Sequence, residues 1–88
     1  MIEQKFKIVN RLGLHARAAA QLVQTASRFG SDVLVEKEDL EVNGKSIMGI
    51  LMLAAPIGST IRVSVNGDDE TDAMKALAEL INDGFGED

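Results

Sequence analysis

The sequence predicts an α+β fold in which helices cover one face of a mainly antiparallel sheet, forming a two-layer sandwich. Its 88 residues suit a single domain that spans residues 1–88. Apolar and polar residues alternate where outer strands are predicted, and apolar residues recur every three to four positions where helices are predicted. The resulting order is β-α-β-β-α-β-α, and the apolar stripes of the helices can be buried only against the apolar face of the sheet.

The first strand and the first helix are joined by a loop that contains a glycine. Residues 2–9 alternate between apolar and polar side chains, which is typical of a half-buried strand. Gly13 is the pivot of the loop that follows. Apolar residues then recur at helical spacing over residues 16–29, which indicates an amphipathic helix with Gly30 as the C′ residue that ends it.

The middle of the sequence predicts three strands and a short helix. Two short strands cover residues 33–37 and 40–43, with a turn between them. Ser46 precedes an apolar run, and its hydroxyl makes it a natural N-cap for a short helix. Residues 60–66 alternate again and form the clearest strand of the sequence.

The last predicted element is an amphipathic helix that Asp68 or Asp69 caps and Gly84 ends. Acidic residues fill its first turn, where the helix dipole favours negative charge. We expect residues 85–88 to form a frayed end, and we assign no site to them.

Composition excludes several classes of function. Nine Lys and Arg residues against 14 Asp and Glu residues give a formal net charge of −5. This balance argues against a nucleic-acid binder and against binding to a membrane surface through basic residues. The sequence has no cysteine for a disulfide or thiolate metal site, no signal-peptide pattern and no apolar stretch of membrane-spanning length. We therefore expect a cytoplasmic protein.

The one histidine of the sequence lies where the first helix is predicted to start. If the helix begins at Ala16, His15 is at or near its N-cap, and the first free amides point toward any group that the imidazole carries. The guanidinium of Arg17 is a planar donor suited to phosphate oxygens. An imidazole is also a nucleophile near neutral pH, so these groups together can accept and hold a phosphoryl group.

The residue pattern alone leaves other interpretations of His15 open. A lone histidine beside a helix start is often an exposed polar residue or a capping residue. A metal site would need carboxylate ligands from elsewhere in the chain, and because no spacing of metal ligands is present we expect no metal. A Ser-His-Asp site would need a long-range assembly that the sequence does not reveal.

Two separated stretches resemble one known family. The stretch "GLHAR" with the following "AAQLVQTASRF", and the later stretch "NGKSIMGILMLAAPIGSTI", are similar to HPr, the histidine-containing phosphocarrier family of the bacterial phosphoenolpyruvate–sugar phosphotransferase system. The resemblance covers nearly the whole chain. It implies an open-faced β-sandwich in which three helices cover one face of a four-stranded antiparallel sheet.

The resemblance also implies a role for the histidine. His15 would accept a phosphoryl group on Nδ1 from phosphorylated enzyme I and pass it to a histidine on the IIA domains of sugar permeases. Arg17 would contact the phosphate and acidic groups of the partner. The protein would then be a stoichiometric phosphocarrier rather than a turnover enzyme. We expect it to need no cofactor and to be a monomer.

A second set of roles implied by the resemblance surrounds Ser46. In many relatives an HPr kinase/phosphorylase phosphorylates this serine, so Ser46 is a candidate regulatory site. The apolar run that follows it is too continuous for one inward stripe, so some of its side chains must be exposed. The resemblance implies partner contacts for Ala20, Ile47, Met48 and Leu51.

The sequence departs from the family motif His-Ala-Arg-Pro at one position, where Ala18 replaces the proline. Proline in the first turn fixes φ and lacks an N–H, so we expect Ala18 to retain phosphotransfer with an altered rate or altered phosphate lability. The departure leaves an alternative function open. The chain could be a regulatory HPr-like paralogue, such as the nitrogen-related branch or a kinase-controlled binding module, that acts on protein partners such as a transcription regulator.

Overall fold

The computed structural model describes residues 1–87, which form four strands, three α-helices and a short 3-10 turn. In chain order these are β1 (Ile2–Lys7), α1 (Ala16–Ser27), β2 (Asp32–Lys37), β3 (Leu40–Asn43), α2 (Ile47–Met52), β4 (Thr60–Asn66), α3 (Glu70–Asn82) and the turn Gly84–Gly86. The observed order confirms the predicted βαββαβα arrangement.

The four strands form one antiparallel sheet in the order β1-β4-β2-β3. The central strand β4 alternates between buried residues, such as Val63, and exposed residues, such as Arg62, so only one face of the sheet is covered. On the open face the Arg62 guanidinium lies 3.1 Å from the carboxylate of Glu36 and 3.7 Å from that of Glu3. This open, charged face and the covered apolar face confirm the predicted two-layer sandwich.

The core between the sheet and the helices is aliphatic, because the chain has few aromatic residues. Burial of each such side chain contributes roughly 1.5–3 kcal/mol. The largest apolar side chains that are fully buried are Ile8, Leu22, Val33, Val35, Ile50, Ile61, Val63, Val65, Leu77 and Ile81. They come from the three α-helices, the two central strands and, at Ile8, the segment after β1, so one continuous core holds α1 and α2 in place beside the sheet.

The structure differs from the sequence prediction at the end of α1 and at the start of α3. The carboxylate of Asp69 links these two helix ends. Gly30 does not end α1 as a left-handed residue. Arg28 is the C-cap in right-handed helical conformation, and its amide donates to the carbonyl oxygen of Thr25. The amide of Gly30 donates instead to Asp69 Oδ2 over 2.9 Å. Gly84 follows the C-cap residue Asp83 of α3 in the left-handed region with a φ of +65°, so it ends this helix as predicted.

Asp69 occupies the N-cap position of α3, but its side chain makes no capping bond. Its carboxylate accepts hydrogen bonds from the amides of Gly30 and Ser31 and from the Ser31 hydroxyl. The bond from the Ser31 hydroxyl is the largest cause that holds the pKa of Asp69 below its ordinary value of 3.8. Asp69 therefore connects the start of α3 to the segment that leads into β2.

The expectation of a frayed end is wrong for residues 85–87, and Asp88 lies outside the described residues. Gly84 turns the chain back after α3, and the Phe85 side chain then enters the core with 3% of its surface exposed. Burial of this aromatic side chain outweighs the tendency of chain ends to fray. The backbone returns toward the loop between β1 and α1, where Glu87 makes polar contacts.

Candidate functional site

The loop between β1 and α1 delivers His15 to the start of the helix. Gly13 has a φ of +67°, and a Cβ at this position would overlap the carbonyl oxygen of Ala55, so the loop requires glycine. The amide of the buried residue Leu14 donates to the same carbonyl oxygen over 2.9 Å. These contacts fix the loop, and His15 follows as the N-cap residue of α1 with φ −75° and ψ 178°.

The start of α1 leaves its first amides available to a ligand. The first hydrogen bond that returns to the N-cap residue runs from the amide of Ala19 to the carbonyl oxygen of His15 over 2.8 Å. The amides of Ala16, Arg17 and Ala18 precede it and have no partner within the helix. The His15 side chain makes no capping bond to them. This end of α1 therefore has the free N–H groups and partial positive charge that favour an anion.

The structure places Arg17 in the first turn of α1, with an exposed side chain. Within residues 1–87 its guanidinium belongs to none of the ion pairs. The structure therefore places the imidazole and the first helical amides together at the corner where α1 starts, with the exposed Arg17 in the same turn. Such a set of donors can hold a phosphate-like group beside a nucleophilic ring.

The side chain that contacts the imidazole belongs to Glu87, a residue that the sequence analysis did not single out. Glu87 Oε2 lies 2.7 Å from His15 Nε2, and the two side chains are 28% and 19% exposed. The same oxygen accepts a 2.6 Å hydrogen bond from Asn10 Nδ2. The bond with His15 is the largest cause that keeps the pKa of Glu87 below its ordinary value of 4.5. No local sequence pattern links positions 15 and 87. The one sequence signal for their contact is Gly84, which turns the chain back after α3.

The structure confirms Ser46 as the N-cap of α2. Ser46 has extended backbone angles of φ −118° and ψ 114°, and its Oγ accepts a 3.1 Å hydrogen bond from the amide of Gly49. The side chain is half-buried at the start of a helix of six residues. A phosphate on this oxygen would lie at the positive end of α2.

The exposed side chains of α2 agree with the expectation that its apolar run cannot all face inward. Ile50 is fully buried, whereas Ile47, Met48 and Leu51 are 44%, 73% and 37% exposed. Ala20 is half-buried on α1, which packs against α2. We call the four residues Ala20, Ile47, Met48 and Leu51 the α2 patch. Met52 extends this apolar surface and was not singled out from the sequence, because its position in the run gave no sign of its orientation.

Within residues 1–87 no helix has both the length and the apolar character needed to cross a membrane. In the same range no three His, Asp or Glu side chains form a group that could hold a metal ion.

Comparison with known proteins gives consistent matches over nearly the whole chain. A family model described as "PTS HPr component phosphorylation site" matches residues 2–83. The phosphocarrier protein HPr of Neisseria meningitidis serogroup A is 55% identical over 87 residues, which cover 99% of this chain and 98% of that protein. The HPr-like protein Crh of Halalkalibacterium halodurans is 46% identical over 92% of this chain and 96% of its own length.

Solved structures match the fold as well. A crystal structure of HPr from Thermoanaerobacter tengcongensis has a TM-score of 0.96 and 51% identity, and it covers 100% of this chain and 99% of that chain. A crystal structure of the phosphocarrier protein HPr from Bacillus anthracis has a TM-score of 0.87 and 41% identity over 91% of this chain and 95% of that chain.

Proposed function

The chain belongs to the HPr family, the phosphocarriers of the phosphotransferase system, and from this membership we propose that His15 is the residue that carries the phosphoryl group. His15 receives it from phosphorylated enzyme I and donates it to IIA domains of sugar permeases. The observation that carries this proposal is the placement of the imidazole at the N-cap of α1, beside free amides and Arg17. The protein acts in the cytoplasm as a monomeric single domain.

The transfer uses groups that this chain already holds in position. The ring is partly exposed, so the same nitrogen can meet a donor and later an acceptor. The first amides of α1 and the Arg17 guanidinium stabilise the phosphate oxygens between the two encounters. Because the phosphoryl group leaves with the next partner, the protein is a stoichiometric intermediate and needs no cofactor.

The α2 patch is the proposed docking surface for enzyme I and the IIA domains. Its apolar side chains lie on helices whose N-termini carry His15 and Ser46, so a partner that covers the patch also reaches the ring. A small surface of this kind suits short-lived complexes, which a carrier needs because it must release each partner.

Ser46 is the proposed regulatory site, phosphorylated by an HPr kinase/phosphorylase. Phosphate at a helix N-terminus is electrostatically tolerated, so we expect little change of fold. Its negative charge lies next to Ile47 in the docking surface, where it repels acidic partner groups and must be desolvated on binding. Phosphorylation at Ser46 therefore lowers the rate at which His15 is phosphorylated.

An alternative function is supported by the similarity to the HPr-like protein Crh and by Ala18. In this alternative the chain serves as a regulatory paralogue, and the state of Ser46 selects a protein partner such as a transcription regulator. The presence of His15 within an intact anion site favours the carrier function.

Phosphorylation assays separate these functions. With phosphoenolpyruvate, magnesium and enzyme I, we expect an acid-labile phosphate that His15→Ala abolishes. Labelling that persists in His15→Ala removes the carrier proposal. With ATP and the kinase, we expect an acid-stable phosphate that Ser46→Ala abolishes and the matched control Ser27→Ala, at an exposed serine, retains. A Ser46→Asp variant that accepts phosphate as fast as the unmodified protein contradicts the inhibitory role.

A further inference from the structure

The carboxylate of Glu87 is held in a fixed place beside His15 by the loop that precedes α1. Asn10 is buried, and its Nδ2 donates both to the carbonyl oxygen of Gly13 over 2.7 Å and to Glu87 Oε2 over 2.6 Å. The amide of Leu12 makes a longer, 3.4 Å bond to Glu87 Oε1. Two loop donors therefore orient the carboxylate before any partner arrives, and Phe85 anchors the tail in the core.

This arrangement determines which ring nitrogen of His15 carries a proton. The pKa of Glu87 lies below its ordinary value because of its hydrogen bonds, so the carboxylate is ionised near neutral pH and only accepts hydrogen bonds. His15 Nε2 lies 2.7 Å from this acceptor and must therefore be the donor. In the neutral imidazole the other nitrogen, Nδ1, is then unprotonated and has a free lone pair.

We propose that Glu87 is a positioning residue for phosphoryl transfer, which holds His15 in the Nε2–H tautomer and orients Nδ1 as the nucleophile. This inference rests on the proposed function of His15 and deepens it. Glu87 does not contact the phosphoryl group and acts only through the ring. The role is analogous to that of carboxylates that fix the tautomer of catalytic histidines elsewhere.

The same carboxylate also matches the charge that the ring acquires. In the transfer the Nδ1 lone pair forms a new N–P bond, while the bond between phosphorus and the donor atom breaks and its electron pair returns to the donor atom. Nε2 keeps its proton throughout. The form of the ring that attacks is the neutral one, because Nδ1 needs a free lone pair, and it becomes cationic once it carries the phosphoryl group. The Glu87 carboxylate lies 2.7 Å from Nε2, which keeps its proton.

Nitrogen NMR spectra of the His15 ring test directly which tautomer is populated. In 15N-labelled protein at a pH where the ring is neutral, we expect Nδ1 to resonate as an unprotonated nitrogen and Nε2 as a protonated one. In Glu87→Ala the two resonances should move toward each other, because both tautomers are then populated. Glu87→Gln should retain the original tautomer, since its amide oxygen can still accept from His15 and Asn10. An unmodified protein with the proton on Nδ1 overturns the proposal.

Transfer rates test the consequence for the reaction. We expect Glu87→Ala to lower the second-order rate of phosphorylation by enzyme I about tenfold, the scale of one lost hydrogen bond to a charged group. Glu87→Gln should fall between Glu87→Ala and the unmodified protein, because it keeps the acceptor and loses the charge. The matched control Glu41→Gln removes one exposed carboxylate from β3 and should leave the rate unchanged. NMR spectra of the backbone amides check that each variant is folded.

The two readouts keep this proposal separate from the proposed function. A Glu87→Ala variant that is phosphorylated as fast as the unmodified protein overturns the role of Glu87 and leaves His15 as the carrier residue. A protein that enzyme I does not phosphorylate removes the carrier proposal. The nitrogen spectra would then still report whether Glu87 fixes the tautomer, because they require no partner.

Discussion

Ala18 shows how one residue can affect both helix stability and anion binding. It is the third residue of α1 and is almost completely buried. Its amide precedes the first hydrogen bond that returns to His15, so it is a donor that a proline at this position would lack. The substitution therefore exchanges backbone rigidity for an additional N–H near the proposed phosphate.

We predict that Ala18→Pro raises the free energy of unfolding by about 0.4–1 kcal/mol. Residue 18 already has helical backbone angles, so proline restricts the unfolded chain without breaking a helical hydrogen bond. Urea denaturation measures the change. The control Ala20→Pro lies two residues further into the helix, where loss of a hydrogen bond and a ring clash should cost about 3 kcal/mol. A destabilised Ala18→Pro protein would contradict this prediction.

At the scale of the element, α2 divides its apolar residues between the core and the exposed surface that we propose for docking. Ile50 faces the core and Met48 faces solvent, because residues two positions apart on a helix lie on different faces. The two side chains thus report on different properties of the same helix.

We predict that one truncation in α2 lowers stability and that another slows phosphoryl transfer. Ile50→Ala should lower the free energy of unfolding by about 2–5 kcal/mol, because it leaves a cavity in the core. Met48→Ala should leave the unfolding free energy within about 0.5 kcal/mol and should slow phosphoryl transfer from enzyme I. Thermal unfolding and transfer kinetics on both variants measure the two effects. Unchanged kinetics in Met48→Ala would exclude this part of the α2 patch from docking.

The junction between α3 and the start of β2 predicts a pH dependence of stability. The pKa of Asp69 is lowered in the folded protein, chiefly by the Ser31 hydroxyl, so its contribution is present above the ordinary pKa of 3.8. That contribution is lost as pH falls through 3.8 and then through the lower folded pKa. Denaturation across an acid pH series should therefore give a shallower slope for Asp69→Asn than for the unmodified protein. An equal slope would contradict an ionised Asp69 in this junction.

At the scale of the whole molecule, negative charge limits long-range attraction to acidic partners. The formal net charge is −5, and two cations near the C-terminal end of α1 have local contacts. Lys45 Nζ donates to the carbonyl oxygen of Phe29 over 2.8 Å, and the Arg28 guanidinium lies 5.6 Å from the centre of the Phe29 ring. Arg17 is the cation in the first turn of α1, two residues after His15.

We predict a weak salt dependence of association with enzyme I. Raising the ionic strength from about 0.01 M to about 1 M shortens the Debye length from about 30 Å to about 3 Å, so it removes long-range steering. Stopped-flow association rates across this series should fall only slightly, and Arg17→Ala should remove most of the fall. A steep decrease that Arg17→Ala leaves unchanged would show that other charges attract the partner.

Most of the architecture could be predicted from the sequence because it follows from local periodicity. The alternation in β4, the stripe of α1 and the cap at Ser46 each depend on neighbouring residues, and the structure confirms them. The position of His15 at the start of α1 could be predicted for the same reason. The contacts that were missed join distant residues: Asp69 reaches Gly30, and Glu87 reaches His15 across 72 positions. Such contacts depend on where the fold brings two segments together, which no local pattern encodes.

The return of the chain after α3 has a practical consequence for handling the protein. Phe85 is buried and Glu87 contacts the imidazole, so a group attached to the Glu87 side chain would lie next to the ring that we propose as the phosphoryl carrier. A dye or a surface linker attached there would crowd the corner that holds this ring. The open face of the sheet, with its exposed arginine and glutamates, offers an attachment point that leaves this corner clear.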